Sequence, residues 1–178
     1  IRVPRACTVK ARGVSCDVLL QGLQGDVDVK TVSGALHLRD LTGRVVAVAV
    51  SGAVSGEGLS GPLEVETVSG DVQLTRSSFA TVQGKTVSGT MLLDVLPGPG
   101  PYRFRSVSGR VDLVVPAGGG CSVEMSSVSG RLHTDLPITH SWGQERQQGS
   151  EIQGGGAAGS FSTVSGDLRV RQMPGAPE

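Results

Sequence analysis

Aromatic side chains are scarce in this chain: one Trp, one Tyr and three Phe among 178 residues. A core packed on rings is therefore excluded, and 27 Gly beside 38% apolar residues point to one domain with a thin core of small aliphatics. Charge of one sign is lacking too, since sixteen Lys and Arg balance sixteen Asp and Glu and the basic residues are scattered. That leaves no field to draw nucleic acid or an anionic membrane surface. No apolar run reaches the ~20 residues that cross a bilayer. The opening Ile1-Arg2-Val3-Pro4 lacks the layout of a signal peptide. With no initiator Met, the chain reads as a processed or excised fragment, and any membrane attachment would come through segments outside it. Cysteine is limited to Cys7, Cys16 and Cys121. Their odd count and spacing give neither a disulfide framework nor a metal site.

What is present is a repeat. Val-Ser-Gly stands at 32–34, 50–52, 68–70, 87–89, 107–109, 128–130 and 164–166, with Val14-Ser15-Cys16 in the same frame. Midway between the early copies lie Leu23-Gln24-Gly25, Leu41-Thr42-Gly43 and Leu59-Ser60-Gly61, so the underlying step is nine. The ladder Cys7, Cys16, Gly25, Gly34, Gly43, Gly52, Gly61, Gly70 runs without a break, while Val54-Ser55-Gly56 falls outside its frame. Counted from the Gly, slots 3, 5 and 8 are apolar, as in Val27, Val29 and Val32 or Leu36, Leu38 and Leu41. This spacing predicts strands with slots 8, 1, 3 and 5 inward and a corner between slots 5 and 8.

A chain that turns every nine residues and returns every eighteen stacks its strands in parallel, about 4.8 Å apart. The expected fold is an all-β parallel β-solenoid with two facing sheets, roughly eight turns, right-handed by the general preference of parallel crossovers. The single domain spans 1–178, with an inserted loop at 137–158 and a tail at 172–178. Slot 1 points inward yet holds Gly or Cys, which implies a close approach there or a bend in the strand. Cys7 and Cys16 then read as small buried hydrophobes.

Beyond residue 70 the unit lengthens at one corner only, through insertions at 97–101, 116–120 and 137–158. Loops gathered on one edge of a rigid scaffold are a common seat of binding. The longest carries His140, Trp142, Glu145 and Arg146, with Trp142 as candidate anchor for a partner. A Gln- and Gly-rich excursion with no binding role is the plainer reading of the same segment. Slots 7 and 9 of alternate units place Thr67 and Ser69, Thr86 and Ser88, and Ser106 and Ser108 in two hydroxyl columns on an outer face. Such columns would meet a glycan, a peptide strand or ice, or simply keep the face soluble. Slots 2, 4 and 6 of that face are irregular and charged, which disfavours ice.

No catalytic or metal-ligating constellation stands out. His37 and His133 share outward slot 4 several turns apart, and His140 lies in the inserted loop. Gly-Asp pairs at 25–26, 70–71 and 166–167 supply one acid per unit, too few for a calcium cage. The glycine runs at 118–120 and 154–156 lack a P-loop or Rossmann context. Asp94 and Asp112 fall in different columns, and Asp135 has no acidic neighbour in the next turn, so the paired carboxylates of a carbohydrate-active enzyme are missing. No cofactor is implied.

The opening Val3-Pro4-Arg5, units such as 67–74, and the closing Thr163-Val164-Ser165-Gly166-Asp167-Leu168-Arg169-Val170 resemble the bacterial β-strand-repeat family of adhesin-like proteins called the toastrack domain. The resemblance covers nearly the whole chain apart from the 137–158 insertion. It implies a non-enzymatic module of cell-envelope proteins linked to adhesion or envelope-stress signalling, with no catalytic residues to carry over. Two departures are Cys in the Gly slot and the Trp-bearing loop. The expected role is a binding or adaptor module presenting a rigid β-face and a looped edge to a protein or a cell-surface glycan. Its expected place is the extracytoplasmic envelope, with the cytoplasmic face of the membrane as alternative. The rival reading is a structural scaffold, a homo-oligomer growing end to end through open strand edges.

Overall fold

The computed structural model describes residues 4–96, 100–115, 121–135, 138–144, 147–152 and 157–172, and every regular element among them is a strand. Strands β1 (Val9–Gly13), β2 (Val18–Gln21), β3 (Val27–Thr31), β4 (Leu36–Arg39), β5 (Val45–Ala49) and β6 (Val54–Glu57) alternate between two faces. They are followed by β7 (Ser60–Thr67) on the first face and by β8 (Val72–Thr86), which starts on the second face and rounds a corner onto the first. Next come β9 (Thr90–Leu96), β10 (Tyr102–Ser106), β11 (Arg110–Val115), β12 (Cys121–Ser127) and β13 (Leu132–Thr134). The described chain ends with β14 (Ile138–Gln144), β15 (Gln147–Ile152), β16 (Ala157–Thr163) and β17 (Leu168–Gln172).

The chain is a parallel β-solenoid, as its period requires. On the first face Val9, Val27, Val45, Leu63 and Val82 are register partners in succession, and on the second Val18, Leu36, Val54, Val72 and Met91. About five coils thus wind regularly, against an expectation of roughly eight turns; the rungs beyond them are longer, and the last of them are out of chain order. Strand β16 lies between β10 and β12, and β17 lies between β11 and β13. The last coil of the sequence is therefore an inner coil of the stack. The inserted segment is no plain loop either. Its β14 and β15 form an antiparallel hairpin, and β15 pairs antiparallel with the outer side of β12. That covers the outer edge of β12 and makes β14 the outermost described strand on this face.

The core is one continuous cluster of Val, Leu, Ala and Met with a few rings, running from Leu23 to Val170. Its parity differs from expectation at one place. In the Leu-x-Gly units slot 8 does point inward, and Leu23, Leu41 and Leu59 are buried. In the Val-Ser-Gly units the valine points out, and Val32, Val50 and Val68 are 42% to 44% exposed. Thr31, Thr67 and Thr86, one residue earlier, are buried instead. Val-Ser is a corner rather than the middle of a strand. Valine and threonine are nearly isosteric, so an apolar pattern alone cannot tell which of two adjacent β-branched residues is inside. The opposite corner needs a left-handed residue in each regular coil, supplied by Gly22, Asp40, Gly58 and Arg76 with φ between 49° and 69°. The out-of-frame Val54 and Gly56 sit within β6, both buried.

Slot 1 holds glycine because the preceding coil lies directly beneath it, not because the opposite sheet is close. A Cβ on Gly34, Gly52 or Gly70 would lie 1.8–2.0 Å from the carbonyl oxygen of residue 16, 34 or 52 in the preceding coil. The same approach continues through Gly89, Gly109, Gly166 and Gly130, at 2.0–2.2 Å. Cys7 and Cys16 occupy this slot only in the first described coil, where no carbonyl lies beneath among the described residues. They are therefore not buried as expected: Cys7 is half-buried and Cys16 exposed. The Cys16 sulfur hangs over Gly13, 2.2 Å from where that residue's Cβ would stand, and so fills the place that Thr31 or Thr67 fills in later coils.

Gly52→Ala is expected to destabilise the fold by about 3 kcal/mol or more, since two backbones would have to part. Cys16→Ala is expected to stay within about 1 kcal/mol. Urea denaturation of both variants checks the contrast; equal losses would contradict the carbonyl contact as its cause.

Candidate functional site

The most regular surface of the molecule is the Val-Ser-Gly corner. Each serine N–H there donates to the carbonyl of the valine one coil earlier: Ser33 to Val14, Ser51 to Val32, Ser69 to Val50, Ser88 to Val68 and Ser108 to Val87, at 2.8–2.9 Å. The column continues from Ser165 to Val107 and from Ser129 to Val164. The serine hydroxyls donate to the same carbonyls at 3.0–3.4 Å. Beneath them, the Gly34, Gly70, Gly89, Gly109, Gly130 and Gly166 N–H groups donate to the hydroxyl three residues earlier, at 2.5–3.2 Å. Thr67 and Ser106 also donate back to the glycine carbonyls at 3.3 Å.

The hydroxyl columns therefore differ from expectation. Thr67, Thr86 and Ser106 are buried caps of the turn, and Ser69, Ser88 and Ser108 are exposed but bonded to the stack. These six residues do not form a flat hydroxyl face. What they raise outward is a ridge of valines, in spatial order Val14, Val32, Val50, Val68, Val87, Val107, Val164 and Val128, each 42% to 69% exposed. A contiguous apolar strip of this regularity is unusual on a soluble surface, where exposed hydrophobes normally stand singly.

Beside the ridge runs a groove of about 300 Å³ that crosses four coils. One wall is Val50, Val68, Val87 and Val107; the other is Val48, Glu66, Lys85 and Arg105, with Thr67, Thr86 and Ser106 along the floor. Lys85 is hydrogen-bonded to Glu66, and that bond together with the carboxylate charge holds the ammonium above the ordinary lysine range. The sequence carried a signal for this corner that periodicity alone passes over. A hydroxyl stands three residues before the Gly in Thr31, Thr67, Thr86, Ser106, Ser127 and Thr163, and no hydroxyl holds that slot in the Leu-x-Gly units.

The remaining candidates are not brought to this corner. His140 and Trp142 lie on β14, paired in register with Glu151 and Gly149, while Glu145 and Arg146 fall outside the described residues. His37 bonds Ser55 at 2.6 Å on the outer surface, and His133 stands 3.7 Å from Asp135. Asp112 is the register partner of Leu92 and Arg169, and Asp94 that of Val114, so the two acids do occupy different columns. Among the described residues, no group of three or more His, Cys, Asp or Glu is placed to hold a metal ion.

A family model described as Toastrack DUF4097 matches residues 26–171. No match is found among curated proteins or among solved structures. Thr86→Val is expected to cost about 1–2 kcal/mol, because the Gly89 N–H loses its acceptor within the stack. Ser69→Ala is expected to remain within about 0.5 kcal/mol. Thermal unfolding of the pair measures the difference, and a Thr86→Val chain as stable as the parent would remove the cap from the account.

Proposed function

The chain belongs to the toastrack family, and on that premise we propose that it is a non-catalytic binding or adaptor module of the cell envelope whose contact surface is the Val-Ser-Gly corner. The valine ridge carries this reading: eight outward apolar side chains held in line by a backbone whose own donors and acceptors are taken up within the stack. A partner gains burial of methyl groups on a rigid track, with little ordering cost on this side of the interface. Branched aliphatics without rings suit a protein partner better than a glycan, since sugar faces are usually met by aromatic planes and free hydroxyls. Adhesion and envelope-stress signalling both need such a contact.

A photo-reactive phenylalanine analogue at Val68 is expected to give a discrete crosslinked product in cells making the protein. The same group at Gln73, on the second face, is expected to give none. No product from position 68, or equal products from both, would overturn the assignment of the corner.

A further inference from the structure

We propose that the partner at this corner is a second copy of the chain, laid edge to edge with the two stacks antiparallel about a two-fold axis between the coils of Thr67 and Thr86. The inference rests on the reading of the corner as a contact surface. It is carried by the order of side chains along the groove, whose four coils are centred on that axis. Rotation about the axis exchanges the second and third coils, and the first and fourth. Val68 then meets the second copy's Val87, and Val50 meets its Val107.

The outer wall reads Val48, Glu66, Lys85, Arg105, and this order is self-complementary under the same rotation. Glu66 comes opposite the second copy's Lys85, and Lys85 opposite its Glu66. Because Glu66 and Lys85 already bond within each copy, the four groups close into a ring of alternating sign. Arg105 comes opposite Val48, where its aliphatic stem covers the methyls while its guanidinium reaches water. Copies placed with parallel stacks, related by an axis along them, would instead lay each valine ridge on the other copy's outer wall, Val68 against Glu66 and Val87 against Lys85, which buries charge against methyl groups and disfavours that pairing. An isologous contact requires a patch that maps onto itself in this way. Strand addition is not the mode: the N–H groups of Ser69 and Ser88 donate to Val50 and Val68 and are spent within the stack.

Sedimentation equilibrium across concentrations up to roughly 100 µM tests this. The parent chain is expected to dimerise. Glu66→Lys or Lys85→Glu alone is expected to raise the dissociation constant about tenfold or more by setting like charges together, while E66K combined with K85E returns it to within about threefold. Val68→Asp is expected to give a monomer with unchanged thermal stability, as the side chain is exposed. A chain that stays monomeric throughout, or single reversals as tight as the parent, overturns the second copy as partner. If position 68 crosslinks to a different protein while the chain sediments as a monomer, this inference fails and the corner reading stands; if position 68 crosslinks to nothing, the corner reading fails as well.

Discussion

The structure depends on how closely one coil lies on the next at slot 1. There the carbonyl of each coil presses against the Cα of the glycine above, at a distance where no side chain fits. Backbone contact of this kind fixes the axial rise and lines up the flanking strands, so that in the regular coils an apolar residue meets its counterpart eighteen or nineteen positions on. Side-chain packing then follows: Val27, Val45 and Leu63 stack on one inner face and Leu36, Val54 and Val72 on the other. In this sense the core is made by a backbone constraint and filled by small aliphatics, which is why so few aromatic rings are needed.

Much of this was legible in the chain because the constraint recurs at every coil. The nine-residue step, the parallel stacking and the two facing sheets all follow from glycine and aliphatic spacing. The orientation of the Val-Ser-Gly units did not. Thr31 and Val32 have nearly the same shape, and in the structure the Thr31 hydroxyl turns in to accept from the Gly34 N–H while the Val32 methyls turn out. The candidate surface was hidden by the same ambiguity. Valines read as core became a ridge, and hydroxyls read as surface became caps. Cys16 follows the reverse logic, since its slot is forbidden to side chains only where another coil lies beneath.

The order of the last coils was not legible at all, for a physical reason. Each Val-Ser-Gly coil presents the same carbonyl, glycine and valine to its neighbour, so nothing in the pattern states which coil sits on which. The placing of β16 and β17 rests on features peculiar to those rungs. Phe161 stacks on Phe104 with ring centroids 4.9 Å apart, and β15 takes the outer side of β12. The long segment between β13 and β16 gives the chain the length to double back.

That doubling back bears on how the protein is made. A solenoid wound in chain order can extend one coil at a time as it leaves the ribosome, each finished coil serving as template for the next. Here the coil of β10 and β11 has its final neighbour only when residues 157–172 have been synthesised, and β12 and β13 must leave room for it. The far end of the stack is therefore completed only by residues 157–172, and loss of those residues opens a gap inside the ladder rather than shortening it from its tip.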